Sequence, residues 1–103
     1  MAATIVGPVQ GIAPGLPGGL SAAYNVTAPG IIKGAPGVLV RVSCITAGSI
    51  TLNDLATTTG AGLTNEIWSG SLTVGQVLEL NWPCAAGIVV SAVTTAVVAI
   101  AFT

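Results

Sequence analysis

Charge is scarce in this sequence. Lys, Arg, Asp and Glu make up 5% of its 103 residues, and the formal net charge is -1, whereas about a quarter of an average soluble protein is charged. Nucleic acid binding needs clustered cations that displace counterions from phosphates, which two cations cannot provide. A surface with so little charge also offers little repulsion between molecules. We therefore expect much of it to be covered by other subunits.

Histidine is absent, which removes the usual base that activates a Ser or Cys nucleophile. Only Asp54, Glu66 and Glu79 could form a pair of glycosidase carboxylates, and they are isolated in the sequence. We expect no enzymatic activity, no metal and no cofactor, because Cys44 and Cys84 each lack a nearby second ligand. Buried free thiols are favoured for these cysteines, and a disulfide between them stays open.

A membrane segment has to be weighed because residues 84–103 carry no charge. The stretch has no basic flank that would orient a transmembrane helix. It also divides into two strand-length parts, residues 87–93 and 95–102, which are rich in branched side chains. Two strands are therefore favoured, with a small membrane protein as the alternative. No secretory signal pattern is present, so we expect synthesis in the cytoplasm.

The clearest strand signal is the alternation of residues 37–47. One face of this strand carries Val38, Val40, Val42 and Cys44, and the other carries Leu39, Arg41, Ser43 and Ile45. The first face is predicted to lie in the core. The second is predicted to be covered by a partner or another strand layer, with Arg41 paired to an acidic group or a carbonyl.

The rest of the chain repeats this pattern of short strands and turns. Ala-Pro-Gly occurs at residues 13–15, 28–30 and 35–37, where Pro and Gly suit the two central positions of a turn. A tight hairpin is expected at residues 47–48. The whole predicts an all-β domain over residues 21–103, an antiparallel β-sandwich or jelly roll of about eight short strands.

Residues 1–20 differ from this domain in being rich in Gly and Pro yet apolar. The prolines exclude a helix and favour extended backbone. We predict an N-terminal arm that lies along a neighbouring subunit, with a disordered terminus as the alternative. The contacts of the arm would be made by Ile5, Val6, Val9, Ile12 and Leu16.

Two further surface contacts are predicted on the domain itself. Arg41 is one, and Trp68, beside a polar turn, is the other, because exposed aromatic rings bind sugars and dominate interfaces. Trp82 alternates in phase with Leu78 and Leu80 and is predicted to lie in the core. The small-residue loop at residues 57–62 is expected to be exposed and to carry contacts.

Four stretches together resemble the small decoration or cement proteins of tailed bacteriophage virions. They are the Pro- and Gly-rich start and residues 36–42, 53–60 and 81–90. The resemblance implies a β-sandwich or jelly roll that stabilises a shell by bridging its subunits. The partners that it implies are the major capsid protein and copies of the chain itself, as a dimer or trimer. It implies a location in the virion after assembly in the host cytoplasm, and it brings no catalytic residues.

A binding module is the alternative function. A receptor- or carbohydrate-binding sandwich of a phage fibre or spike would use Trp68 and the loop at residues 57–62. Loss of glycan binding on changing Trp68 to Ala would favour this function over a purely structural one.

Overall fold

The computed structural model describes residues 20–103 of the chain. This part is all-β, with eight strands and no helix, which confirms the predicted class and the number of strands. The arm predicted at residues 1–20, with its five contact residues, lies outside the described residues apart from Leu20. The strands are β1 (Ser21–Val26), β2 (Gly30–Lys33), β3 (Gly37–Thr46), β4 (Gly48–Asn53), β5 (Glu66–Leu72), β6 (Val77–Cys84), β7 (Ile88–Thr94) and β8 (Val97–Phe102).

The strands form two four-stranded sheets in which all neighbours are antiparallel. The first sheet has the order β1-β8-β3-β6, and the second has the order β2-β7-β4-β5. Only β4 and β5 are consecutive strands that pair with each other. Every other connection between β1 and β8 takes the chain from one sheet to the other.

The prediction of a tight hairpin at residues 47–48 is wrong, because the two strands on either side belong to different sheets. Thr46 ends β3 in the first sheet, and Gly48 begins β4 in the second. A Cβ at Gly48 would collide with the backbone of Thr94 and Ala96. Glycine therefore allows the connection between β3 and β4 to pack directly against the connection between β7 and β8. Alternation in the sequence identifies strands but does not specify their neighbours.

One buried hydrophobic cluster receives side chains from both sheets. The first sheet contributes through β3, β6 and β8, and the second through β4, β5 and β7. The members lying within these strands are Leu39, Val42, Cys44, Ile50, Leu52, Leu72, Cys84, Ile88, Val90, Val98 and Ile100. Burial of such side chains, at roughly 25 cal/mol per Å² of apolar surface, is the main stabilising term.

The predicted core face of β3 needs one correction. Leu39 is fully buried and belongs to the cluster, whereas Val38 is only partly buried. The pairing of β3 shifts between Leu39 and Arg41 on both of its sides. A bulge of this kind reverses the alternation, so Leu39 faces inward together with Val42 and Cys44.

The uncharged C-terminal stretch forms the two strands that the branched residues favour. β7 and β8 lie at central positions of the second and first sheets, where Val90 and Val98 are fully buried. No helix that could span a membrane occurs between residues 20 and 103.

Candidate functional site

The outward side of the second sheet is lined with hydroxyl groups. Ser49 and Thr51 of β4 lie opposite Ser71 and Ser69 of β5, and the hydroxyl oxygens of Thr51 and Ser69 are 2.8 Å apart. On the other side of β4, Thr94 and Ala92 of β7 lie opposite the same two residues. We call this surface the hydroxyl face: Ser49, Thr51, Ser69, Ser71, Ala92 and Thr94. It presents donors and acceptors without charge.

A groove of about 250 Å³ lies at one end of the hydroxyl face, against the loop that joins β4 to β5. This loop groove contains one carboxylate, Glu66, and one exposed apolar side chain, Leu63. Its lining residues are Thr51, Asn53, Ala61, Gly62, Leu63, Glu66, Ser91 and Ala92. The loop at residues 57–62, which was predicted to carry contacts, therefore forms part of one wall of the loop groove.

A buried amide supports the loop groove from below. Asn53 is 1% exposed, and its Nδ2 donates to Asn65 Oδ1 at 2.7 Å and to the carbonyl of Gly62 at 3.2 Å. Its Oδ1 accepts from the Ser91 hydroxyl at 2.6 Å. A buried polar group is costly unless it is hydrogen-bonded, and these bonds join the loop to β4 and β7.

The side chain of Asn65 completes this network within the loop. Its Oδ1 accepts from the N–H of Gly62 at 3.1 Å, and its Nδ2 donates to the carbonyl of Gly60 at 3.1 Å. Small residues alone predict an exposed loop, and they give no sign of these bonds. The signal in the sequence was Asn at the end of one strand and Asn just before the next.

Asp54 holds the turn between β6 and β7. Its carboxylate accepts three backbone N–H groups, from Ala85 at 2.9 Å, Ala86 at 2.8 Å and Gly87 at 3.2 Å. Burial by itself raises the pKa of Asp54, but the three donors outweigh it and hold the pKa below its usual value. Asp54 thus acts as a structural anchor, a role that its isolated position in the sequence does not indicate.

The two cysteines are free and buried, which confirms the favoured prediction. Cys84 lies opposite Gly37 at the start of β3, and Cys44 lies near the other end of that strand. Desolvation, followed by the negative charge of Asp54, raises the pKa of the Cys84 thiol to about 11. Cys84 is therefore a protonated core residue at neutral pH, and nucleophilic chemistry is not favoured there.

The outward side of the first sheet carries small residues along β8, with larger side chains on the neighbouring strands. Ala101 of β8 lies between Ala22 of β1 and Arg41 of β3, and Ala99 lies opposite Ser43. A shallow depression of about 190 Å³ is bordered by Tyr24 and Arg41. We call this surface the alanine face: Ala22, Tyr24, Arg41, Ser43, Glu79, Ala99 and Ala101.

Arg41 on the alanine face has the acidic partner that was expected. Its Nε lies 3.3 Å from Oε2 of Glu79, with the two side chains 45% and 60% exposed. This is the only salt bridge within residues 20–103. An exposed pair of this kind contributes about 0.2 to 1 kcal/mol.

The two tryptophans lie on different sheets and do not form a common site. Trp68 of β5 is partly buried against the core cluster, and its ring lies so close to Gly70 that a Cβ there would be 3.2 Å from it. Trp68 and Arg41, the two predicted surface contacts, are not brought together, because Arg41 belongs to the first sheet.

Trp82 is 48% exposed, so its predicted place in the core is wrong. Asn81 has a positive φ of 48°. From Trp82 to Glu79 the strand β6 advances by three residues, while its partner β3 advances by two, from Leu39 to Arg41. The extra residue ends the alternation that Leu78 and Leu80 begin. A bulge of this kind leaves little trace in the sequence apart from Asn, which tolerates the left-handed conformation.

No group of three metal-binding side chains occurs among residues 20–103. Comparisons with protein-family models, with curated proteins and with solved structures find no match to the chain. The two outward faces and the loop groove are the surfaces from which function can be argued.

Proposed function

We propose that this chain is a non-enzymatic structural protein of a bacteriophage virion. In this role it decorates or cements the capsid by bridging neighbouring subunits, namely the major capsid protein and copies of itself. The observation that carries the proposal is the alanine face, a broad sheet surface with small side chains and a single exposed ion pair. Such a surface gains more from contact with another protein than from exposure to water.

The strand order supports a jelly roll within this proposal. Pairing joins β1 to β8 and β3 to β6 in one sheet, and β2 to β7 and β4 to β5 in the other. These four nested pairs are the pattern of an eight-stranded jelly roll wound from one long antiparallel ribbon. Jelly rolls recur in viral capsid and lectin domains, although a fold alone does not define a function. The sequence resemblance to decoration proteins favours the capsid.

The low charge of the chain supports assembly independently of the fold. Exposed apolar side chains occur on both sheets and in the loops, among them Tyr24, Ile31, Ile45, Leu63, Val74, Val77 and Trp82. Interfaces are depleted of charge and enriched in aromatic residues and Arg at their centres. The protein therefore has several surfaces suited to the subunits of a shell.

The direct experiment is electron cryo-microscopy of the native particle, compared with a particle whose chain lacks residues 1–20. We expect density for the β-domain on the capsid of the first and none on the second, because the arm supplies the contacts of Ile5, Val9 and Leu16. Circular dichroism of the truncated chain must still show β-structure. Density confined to the tail or fibre would overturn the capsid proposal, and attachment without residues 1–20 would overturn the role of the arm.

The loop groove favours a second candidate, a receptor- or carbohydrate-binding module. Its hydroxyl lining and single carboxylate, Glu66, suit a neutral sugar, which presents many hydroxyl groups and no charge. Trp68 does not line this groove. Glycan-array binding that is lost in Glu66→Gln but kept in Glu79→Gln, on the other sheet, would support this candidate. Equal binding or none by both variants would contradict it.

A further inference from the structure

A second depression on the hydroxyl face continues the loop groove. It has a volume of about 140 Å³, and Thr51 and Ala92 line both depressions. Ser49, Ser71 and Thr94 border the second depression alone. The two depressions therefore form one open trough over β4, which we call the β4 trough, and the outward residues of this strand extend over ~13 Å.

The β4 trough combines hydroxyl groups with apolar surface. The hydroxyls of Thr51 and Ser69, 2.8 Å apart, can each make a further hydrogen bond. Ala92 and the 88% exposed side chain of Leu63 present hydrocarbon on the same surface. A sugar ring has hydroxyl groups around its rim and C–H groups on its faces, so it can use both kinds of surface at once.

The charge of the β4 trough selects among sugars. Glu66 is the only charged side chain that lines it in the part of the chain that the structure describes. Lys33, on β2 of the same sheet, donates to the main-chain oxygen of Thr103 at 2.8 Å. An acidic group on a ligand would therefore meet Glu66 with no cation to offset the repulsion. Sugar hydroxyls would instead donate to the carboxylate in charge-assisted hydrogen bonds, which favours neutral sugars.

The loop wall of the β4 trough is held in place before a ligand binds. Asn53 is 1% exposed and bonds to Asn65, to Gly62 and to Ser91, which itself lines the trough. A wall that is already fixed does not have to be ordered on binding, so less conformational entropy is lost.

We propose that the β4 trough binds a linear neutral oligosaccharide. One ring lies at the loop end, between Glu66 and Leu63, and the following rings continue along β4 across Thr51 towards Ser49 and Thr94. The inference rests on the second candidate function, a carbohydrate-binding module, and specifies the class of its ligand and the surface that the ligand covers.

The binding is expected to be weak for a single chain. No aromatic side chain among residues 20–103 lines the β4 trough, so it lacks the stacking contact that aromatic rings give to sugars. We expect a dissociation constant on the order of 1 mM for one chain and an oligosaccharide. Many copies on one particle would raise the effective affinity for a glycan-coated surface without any new contact.

Heteronuclear NMR of the isotope-labelled full chain measures binding in this range. The probes are glucose, mannose and N-acetylglucosamine, each as the single sugar and as short linear oligomers. At least one series should shift the amide signals of Thr51, Ser69 and Thr94 and leave those of Ala99 and Ala101, on the alanine face, unchanged. Within that series the affinity should rise about tenfold from the single sugar to the longest oligomer. Oligomers of galacturonic acid should bind about tenfold more weakly than that series.

A substitution at the far end of the trough tests its extent. Thr94 lines the second depression but not the loop groove. Thr94→Val should therefore bind the single sugar like the native chain and lose about fivefold in affinity for the longest oligomer, because one hydrogen bond is missing. Thr46→Val makes the same replacement at an exposed residue of β3, on the other sheet, and should change neither affinity. Glu66→Gln should weaken both.

The outcomes separate this proposal from the functions on which it depends. Equal affinity for single sugars and oligomers, or native binding by Thr94→Val, would overturn the β4 trough and leave sugar binding at the loop groove in place. Absence of binding in every series, or shifts confined to the alanine face, would overturn the trough and the carbohydrate-binding candidate together. The capsid role is tested separately, by electron cryo-microscopy of the native particle.

Discussion

The two outward faces are both nearly free of charge, but the side chains that they expose to solvent are of different kinds. The hydroxyl face carries side chains that are able to hydrogen-bond to water or to one another, as the hydroxyls of Thr51 and Ser69 do at 2.8 Å. The alanine face carries few polar groups besides Ser43, the hydroxyl of Tyr24 and its single ion pair. Low charge therefore has a different consequence for each of the two sheets. On the second sheet it is compatible with a hydrated surface, and on the first it leaves the surface that we propose to contact protein.

The faces also differ in what lies beneath them. The hydroxyl face ends at the buried amide of Asn53, whose bonds join two strands and a loop. The central strands of the alanine face cover Val42, Val98 and Ile100, which are apolar and fully or almost fully buried. Both sheets also bury apolar side chains in the shared core cluster. Substitutions at the Asn53 end of the second sheet should consequently disturb hydrogen bonds in addition to packing, whereas those along the first should disturb packing.

The largest effect is expected at Asn53. Asn53→Ala leaves the Ser91 hydroxyl, the Asn65 amide oxygen and the Gly62 carbonyl without their buried partner, which should cost about 2 to 4 kcal/mol of unfolding free energy. Urea denaturation followed by circular dichroism measures this loss as a lower midpoint.

Ser69→Ala is the control for Asn53→Ala. It removes an exposed hydroxyl from the same face and should change the stability by less than about 0.5 kcal/mol. Equal effects of the two substitutions would show that the buried amide of Asn53 contributes no more to the unfolding free energy than an exposed hydroxyl does. The contrast between the base and the surface of the hydroxyl face would then be contradicted.

An intermediate effect is expected from comparing the two tryptophans. Trp68→Ala removes a ring packed on the core cluster and on Gly70 and should cost about 2 kcal/mol, less than the 3 to 5 kcal/mol of a fully buried ring. Trp82→Ala, on the first sheet and 48% exposed, should cost less than about 1 kcal/mol. Denaturation midpoints give both values.

Acrylamide quenching gives an independent test of the same comparison. The fluorescence of the Trp68→Ala chain comes from Trp82 alone and should be quenched more strongly than that of the Trp82→Ala chain. Stronger quenching of Trp68 would contradict the burial found for the two rings.

The sequence predicted the parts of this fold that repeat every two residues. Alternation marks β3 and the branched residues mark β7 and β8, because each strand must keep one side toward a core. Prediction from the sequence failed where single residues interrupt this two-residue repeat. The bulge beside Val40 brings Leu39 inward, and Asn81 in a left-handed conformation turns Trp82 outward. Such irregularities depend on pairing with distant strands, which local spacing does not encode.

The candidate site was predictable only in part, for a similar reason. Composition indicated an exposed loop at residues 57–62 and a surface role for Arg41, and both are exposed. The network of Asn53 and the three donors to Asp54 join residues that are 9 to 38 positions apart. The loop between β4 and β5 and the pairing of β4 with β7 bring the partners of Asn53 together, and the turn between β6 and β7 comes to Asp54 from a distant part of the chain.

Apart from the control substitutions, the smallest effect is expected at Asp54, whose carboxylate connects the end of β4 to the turn between β6 and β7. Asp54→Asn keeps the shape of the side chain but places an N–H donor where a carboxylate oxygen accepted, and it should cost about 1 kcal/mol at neutral pH because the site is only partly buried. Glu66→Gln, at the exposed other end of the same loop, is the matched control and should be nearly neutral.

The dependence on pH distinguishes this anchor from an ordinary loop contact. The folded state lowers the pKa of Asp54 below 3.8, so its carboxylate stabilises the fold fully above that value. The stabilisation is lost as the pH falls through the lowered folded pKa. Denaturation at several pH values should therefore show the difference between the native chain and Asp54→Asn shrinking below pH 3.8. A difference that stays constant into acid would mean that the three backbone donors do not depend on the charge of Asp54, and the link between the two sheets would then rest on packing alone.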